Sequence, residues 1–434
     1  MSLRMRRGGG TEQAPPPPVQ TYGPTLGRAS VIAGAGARTV SSPGSGISFN
    51  SSGSLQSAIN AQPSGSVFVC SVNNPTWNSA VDTGTKAPTI VFPGLVGQIV
   101  ANGNGAQIMP ISLGPNATVQ GGTFSNFGNT DATVNHGLRM YGDGAVVEDA
   151  VVTGIWHAGI APAGANNMRV SHCTMYANGQ AGYGSNGVNL NLTMEYNHVF
   201  GNNTRGVNPG NEGGAGKIVG GGGGGTSGHF HHNYAHDNNG FGIWWDTNVR
   251  DWLIEENVSE DNARSGIFYE ASQHSVIRRN LSSNNGQNVT IGGQAPSFEN
   301  CIQARIADSN CNLGTRGSFE LNLIDYTLAP PSGNFGGIFI VWDHTGTVAR
   351  SCQNWDVHDN QFWLRGSVNQ RVGGQDTATS AFPVWDNNSF FGNQYKVASL
   401  GNSYWKWDTG TGGGVSKTWA EWQGFHADID RSLI

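Results

Sequence analysis

Short runs of alternating apolar and polar residues, each closed by Asn, Gly or Asp, recur along most of the chain. Trp252-Leu253-Ile254-Glu255-Glu256-Asn257-Val258, followed by Ser265-Gly266-Ile267-Phe268-Tyr269-Glu270, is one instance. A period of two bounded by turn residues predicts short strands. Aligning Val147-Glu148-Asp149, Ser171-His172-Cys173, Glu195-Tyr196-Asn197, His231-His232-Asn233, Glu255-Glu256-Asn257 and Arg278-Arg279-Asn280 gives spacings of 24, 24, 36, 24 and 23. Three short strands per ~24 residues predict one coil of a parallel β-helix. An inward Asn at each turn can bond its equals in the coils above and below.

Later coils continue at Leu321-Asn322-Leu323, His358-Asp359-Asn360 and Asp386-Asn387-Asn388, with spacings of 42, 38 and 28 that require inserted loops. An earlier coil contains Val119-Gln120-Gly121-Gly122. The expectation is an all-β, single-stranded solenoid of roughly ten to twelve coils, about 50–60 Å long at ~4.8 Å per coil. Its ends need caps. Leu55, Ala58 and Ile59 stand at i, i+3 and i+4 behind Ser54, which predicts a short amphipathic capping helix before Pro63. The chain divides into a Pro/Gly-rich tether (1–25, with Pro15 to Pro18), an N-terminal cap region (26–65), the β-helix (66–400) and a Trp-rich C-terminal cap (401–434).

Composition agrees with a solenoid. Gly is 65 of 434 residues, charged residues are 12%, and Asn numbers 44, so a helical bundle is excluded. The hydrophobic fraction of 37% still supplies a continuous core. Net charge is −6, and the only basic run, Arg4-Met5-Arg6-Arg7, is too short to track a phosphate backbone, so nucleic acid is not expected as a partner. No stretch approaches the ~18 apolar residues that would span a bilayer, so no membrane segment is expected. The basic start has no apolar stretch behind it, so a Sec leader is not expected either. Of the five cysteines, Cys301 and Cys311 are the pair close enough to suggest a bridge.

Over about residues 45–430 this coil pattern resembles the right-handed parallel β-helix superfamily, the pectate-lyase-like fold. That superfamily holds polysaccharide lyases, glycoside hydrolases, uronate epimerases and phage tailspikes, so the resemblance implies carbohydrate as the ligand class and does not choose a reaction. Val341-Trp342-Asp343-His344 is similar to part of the Trp-x-Asp-His motif of pectate lyases but lacks the intervening residue. The Tyr-Gly-Phe-Asp-Pro-His run of alginate epimerases is absent, and Phe241-Gly242-Ile243-Trp244-Trp245-Asp246 stands in a comparable place. Thr418-Trp419-Ala420-Glu421-Trp422-Gln423 is similar to the closing segment of many β-helix proteins.

Asp246 and Glu270 are 24 residues apart, one coil, and should stack on one face with backbones ~4.8 Å apart. Two carboxyl groups at about 5–5.5 Å suit a retaining glycosidase, one as nucleophile and one as acid/base. Trp244, Trp245, Phe268 and Tyr269 alternate beside them, which should leave at least one aromatic per coil facing outward to stack on sugar. Asp343 would extend the column if the insertion before it loops out. A lyase would instead need cations for a uronate carboxylate, and Arg205, Lys217, Arg278 and Arg279 are the suppliers. Lys217 precedes the glycine run Gly220 to Gly225, a candidate lid.

His229, His231, His232 and His236 raise a metal reading. In a strand, however, His232 should point away from His229 and His231, and no Cys or close carboxylate completes a tetrahedral set, so no metal is expected there. No cofactor is expected, although Glu255, Glu256, Glu260 and Asp261 gather on one coil and would be the place for Ca²⁺.

The combined expectation is a virion-displayed, tailspike-like β-helix at the surface of a phage tail or capsid. It would dock to other virion proteins through the tether, and would bind and cleave host surface polysaccharide. The alternatives are a secreted bacterial polysaccharide lyase or glycoside hydrolase, and a non-catalytic virion decoration protein. A homotrimer, burying solenoid sides against one another, is compatible with any of them.

Overall fold

The computed structural model describes residues 27–95, 98–100, 110–128, 136–220, 225–247, 249–270, 272, 274–286, 302–305, 317–326, 335–342, 351–364, 371–377, 384–386, 388–397, 404–407, 415–425 and 430–433. Cys301, Cys311, Asp343 and the interior of the glycine run lie outside them.

Strands two to eight residues long follow one another in rotation among three sheets of 13, 12 and 13 strands, with Ser351–Gln353 and Val384–Asp386 forming a separate pair. Each strand pairs in parallel with its equivalents one coil before and one coil after, the arrangement of a parallel β-helix. The coils outnumber the ten to twelve read from the repeat because the first strands, Ile47–Phe49, Val67–Cys70 and Thr89–Phe92, precede the Asn ladders and carry no ladder signal. The register also corrects one alignment: Glu148 pairs with Ser171 rather than His172, so that coil advances by 23 residues.

Two asparagine ladders hold the corners. At the first, Asn197, Asn233, Asn257, Asn280, Asn322, Asn360 and Asn393 form a chain in which each side-chain amide donates to the next side-chain carbonyl at 2.9–3.0 Å. At the second, Asn178, Asn202, Asn238, Asn262 and Asn285 do the same at 2.8–3.0 Å. The same carbonyls accept backbone N–H groups of the bending chain, so polar atoms that a corner would strand inside the core are satisfied. The residue just before the first ladder turns into the left-handed region in coil after coil: Asp149, His172, Tyr196, His232, Glu256 and Arg279 have φ between 50° and 56°. That repeated bend, unusual for residues other than Gly, lets two strands of one coil belong to different sheets.

Inward positions are filled by Val, Ile, Leu, Met and aromatic side chains with exposures of 0–2% along the axis, from Phe49 and Leu55 to Trp405 and Trp422. Phe49, Phe92 and Phe124 stack edge to face from coil to coil at 5.6 and 5.4 Å. The helix Ser52–Ala61 closes the N-terminal end with Leu55 and Ile59 turned into the core, and its cap is a reciprocal box between Ser51 and Ser54. At the other end the antiparallel strand Val415–Lys417 pairs with Tyr404–Trp407, and the helix Trp419–Phe425 lays Trp419 and Trp422 against Trp405 at 5.0 and 6.3 Å. This closes the third sheet with an apolar plug, while the last strand, Asp430–Leu433, still pairs in parallel with Gln394–Val397 on the second.

The segment before the first strand runs back along the side of the solenoid. Arg28, on the short helix Arg28–Gly34, grips Glu260 through Nε and Nη2 at 3.0 and 2.7 Å, and Val31 packs on Val258, Leu281 and Leu323. Gly36 then donates to the Tyr196 carbonyl at 2.8 Å, Arg38 forks onto Asp149 at 2.7 and 3.0 Å, and the Val40 carbonyl accepts from Gly94 at 2.7 Å. Gly36 has φ 102°, and a Cβ there would come within 3.0 Å of the Thr174 hydroxyl, so the close approach requires glycine.

Candidate functional site

The strands Gly214–Val219, Ile243–Asp246 and Ile267–Glu270 are consecutive rungs of the third sheet. Their register pairs Lys217 with Trp244 and Trp244 with Phe268, and pairs Asp246 with Glu270, so the two acids stand directly over one another on adjacent coils. Period-two alternation turns Trp244 and Asp246 outward and Trp245 inward.

The outward residues form one cluster. Lys217 Nζ meets Asp246 Oδ2 at 2.8 Å and sits 3.9 Å from the centre of the Trp244 ring, while its third contact is the Asn211 carbonyl at 2.6 Å. The Trp244 indole N–H donates to Glu270 Oε2 at 3.2 Å, and the Thr247 hydroxyl donates to Asp246 Oδ1 at 2.9 Å. Lys217 and Asp246 side chains are 14% and 16% exposed, a half-open setting where a charge pair is worth more than on the bare surface. A cation, two carboxylates and an indole donor thus converge on one outer face.

The aromatic residues are arranged differently from the sugar-stacking expectation. Trp245 and Tyr269 are wholly buried in the core, and the Tyr269 hydroxyl bonds to Ser275 at 2.7 Å. Trp244 and Phe268 do point outward, but each is only 1% exposed because they pack with Phe241 into a separate apolar cluster, Phe241 stacking on Phe268 at 4.3 Å. None of the four offers an open ring face. Arg205 is not brought to the acids; its guanidinium lies 3.7 Å above the Trp156 ring and donates to the Trp156 carbonyl. Arg278 and Arg279 serve the first sheet, on Glu255 at 2.8 Å and Glu256 at 3.6 Å.

The column containing the acids continues to Arg305, Val341 and Asp376. Val341 therefore takes the position expected of Asp343, which lies outside the described residues. Arg305 and Asp376 are not legible in the sequence because 35 residues separate Glu270 from Arg305, against 24 between Asp246 and Glu270.

A second polar region covers the first sheet's outer face, where acids and bases alternate up the coils. Arg169 meets Glu148 and Glu195 at 3.4 and 2.6 Å, His231 Nε2 meets Glu195 at 3.1 Å, and His229 Nε2 meets Glu255 at 3.0 Å. Burial works against ionisation of Glu195, but the Arg169 guanidinium outweighs it and holds the carboxyl below its ordinary range. Burial, reinforced by His229, pushes His231 down to about 4. His232 departs from the strand expectation. At the left-handed corner its ring swings back, so that His231 Nδ1 and His232 Nδ1 are 2.9 Å apart and His232 Nε2 is 2.9 Å from Glu256.

The acidic group expected to offer a place for Ca²⁺ does not converge. Glu255 and Glu256 are engaged by His229, His232 and arginines on one corner, while Glu260 holds Arg28 and accepts from the Tyr234 hydroxyl at 2.6 Å on another. Among the described residues no set of three or more His, Cys, Asp or Glu side chains gathers as a metal cage.

No protein-family description matches the sequence, and no curated protein matches it. Solved structures do. A PL6 family polysaccharide lyase from Pseudopedobacter saltans aligns over 90% of this chain and 93% of its own, at 12% identity and a TM-score of 0.52. An alginate lyase from a Paenibacillus species aligns over 80% of this chain and 97% of its own, at 15% identity and a TM-score of 0.43. The Dettilon tailspike protein aligns over 73% of this chain and 59% of its own, at 16% identity and a TM-score of 0.46. At 12% identity the likeness to the first of these is one of fold: the chain is a parallel β-helix.

Proposed function

We propose that this chain binds and cleaves a polysaccharide along the outer face of its third sheet, with Asp246 and Glu270 as the acid pair. The observation that carries the reading is their in-register stacking, with Lys217 on one carboxylate and the Trp244 indole on the other. A fold neighbour that spans nine-tenths of the chain is a polysaccharide lyase, which supports carbohydrate as the ligand class.

In this reading Asp246, its charge offset by Lys217, attacks the anomeric carbon as Glu270 passes its proton to the departing glycosidic oxygen. Glu270 then takes a proton from water, and that water displaces Asp246 from the sugar. Trp244 acts as a positioning residue, fixing the Glu270 carboxyl through its N–H. Sugar contact falls to polar groups at the rim, since Trp244 and Phe268 have no free face. The setting we favour is a virion-displayed spike acting on host surface polysaccharide, with the N-terminal tether joining it to other virion proteins.

The test is incubation with a panel of neutral and uronate-containing bacterial polysaccharides, reading new reducing ends and the ultraviolet absorbance of an unsaturated uronide. Reducing ends alone, lost by at least about 100-fold in both Asp246→Asn and Glu270→Gln, are the expected result. Added ultraviolet absorbance would replace hydrolysis with a lyase reaction, for which Lys217 supplies a cation. Unchanged turnover in both variants would remove these acids from the chemistry, and silence on every glycan, host surface glycan included, would leave a binding or structural protein.

A further inference from the structure

The contact between His231 and His232 contains an imbalance that points to a bound cation. His231 Nε2 faces Glu195 at 3.1 Å and His232 Nε2 faces Glu256 at 2.9 Å. A carboxylate only accepts, so a proton on each Nε2 suits both contacts. In two neutral rings both Nδ1 atoms then present lone pairs, and these two atoms face each other at 2.9 Å. Three contacts in the series Glu195, His231, His232, Glu256 need three positive centres, whereas two neutral imidazoles bring two protons, so the third centre is either an added proton or a metal ion on the two Nδ1 atoms. The other histidine pair in nitrogen-to-nitrogen contact among the described residues has no such deficit. His236 Nδ1 donates to Asp237 at 2.7 Å, leaving its Nε2 free to accept from the Nε2–H of His198 at 2.8 Å.

We infer that His231 Nδ1 and His232 Nδ1 form a binding site for a borderline divalent transition-metal ion, Cu²⁺ first and Ni²⁺ next. Nitrogen–metal bonds of about 2.0–2.1 Å to donors 2.9 Å apart subtend an angle of about 90° at the metal. That angle fits adjacent corners of a square-planar or tetragonal ion and not the wider angle of tetrahedral zinc, and copper also heads the affinity order. Glu195 and Glu256 stand where the outer partners of metal-binding histidines stand, fixing the tautomer and raising ring basicity. Tyr196 stacks on His232 at 4.8 Å and meets His231 edge-on at 5.7 Å, holding both rings in place. His232 is 28% exposed, so the remaining coordination positions open to water. The site lies on the first sheet and is independent of Asp246 and Glu270.

The test is titration of the full-length protein with CuCl₂, read by calorimetry and by the nitrogen hyperfine pattern in electron paramagnetic resonance. One Cu²⁺ per chain at this site with two equivalent nitrogens is expected. His232→Asn should weaken binding at least about 10-fold and remove one nitrogen; asparagine tolerates the left-handed corner, so the fold should persist. Glu256→Gln, which leaves both rings in place, should weaken binding about 10–100-fold, and it becomes the deciding variant if His232→Asn lowers the thermal midpoint. His236→Asn should change nothing. Copper affinity unaltered by both His232→Asn and Glu256→Gln, loss in His236→Asn instead, or no stoichiometric binding would overturn the site and leave a shared proton between the rings.

Discussion

The side-chain amide of Asn257 donates to the side-chain carbonyl of Asn280 one coil away, at 2.9 Å, and at the same time to the Phe230 carbonyl at 3.0 Å. Its own carbonyl accepts from both the backbone and the side chain of Asn233. A single side chain therefore serves three coils.

Replacing Asn257 with Ala leaves several of these buried groups without partners, each loss being worth about 1–3 kcal/mol. We expect a marked drop in the urea midpoint, larger than for Asn191→Ala, whose side chain is exposed. Equal midpoints for the two variants would contradict a structural role for the ladder.

Arg28→Ala should release the N-terminal strap. The Glu260 side chain is 7% exposed and Arg28 44%, so the partly wet ion pair contributes about 1–2 kcal/mol rather than the value of a fully buried one. Limited proteolysis is the sensitive readout. Cleavage between residues 27 and 42 should accelerate while the solenoid survives as a protected fragment.

Lys217→Met and Trp244→Phe separate electrostatic from positioning roles at the acid pair. Lys217→Met removes the cation 2.8 Å from Asp246 and should lower turnover about 10–100-fold. Trp244→Phe keeps the ring but removes the donor to Glu270, so kcat should fall while KM stays near that of the parent. A rise in KM alone would mean that Trp244 contacts sugar.

Stability should fall in mild acid. Burial, then repulsion by His157 and Arg139, pushes His136 down to about 4, and burial with the neighbouring His236 does the same to His198. Both folded values lie below the ordinary ~6.5, so between about pH 6.5 and 4 the unfolded chain binds more protons, and stability declines as pH falls through that window. Each group adds up to about 1.4 kcal/mol per pH unit there. His358 acts oppositely: burial lowers it, but Glu320 and Asp359 outweigh burial and raise it, so its contribution is lost as pH rises above the ordinary value. Thermal midpoints measured across this range should be highest near neutrality, and His198→Phe, which keeps the aromatic stack, should flatten the acid side.

The coil repeat is legible because Asn at the corners and period-two alternation are local signals. The stacking of Asp246 on Glu270 follows directly from their one-coil spacing, and the register agrees. Alternation can say which aromatics point outward but not that Phe241 closes over Phe268 and Trp244, since that depends on packing between coils. The direction of His232 is misjudged by alternation because a strand pattern stops at a left-handed corner, and its φ of 54° has no marker when the residue is not Gly or Asn. The strap is hidden for a similar reason. Residues 27–42 have no periodicity of their own and gain their place from partners such as Glu260 and Asp149, more than 100 positions later in the chain.

A pull applied at Gly27 would act beside Glu260, well up the solenoid from its N-terminal end. The strap contacts lie in series along the outer wall, from Arg28 through Gly36 and Arg38 to Val40. Such a load would peel them one at a time, like a zipper, before any coil felt tension, whereas a pull on the first coil would have to shear many rungs together. The strap thus behaves as a mechanical fuse, yielding about fifteen residues of slack at low force while the β-helix behind it stays whole.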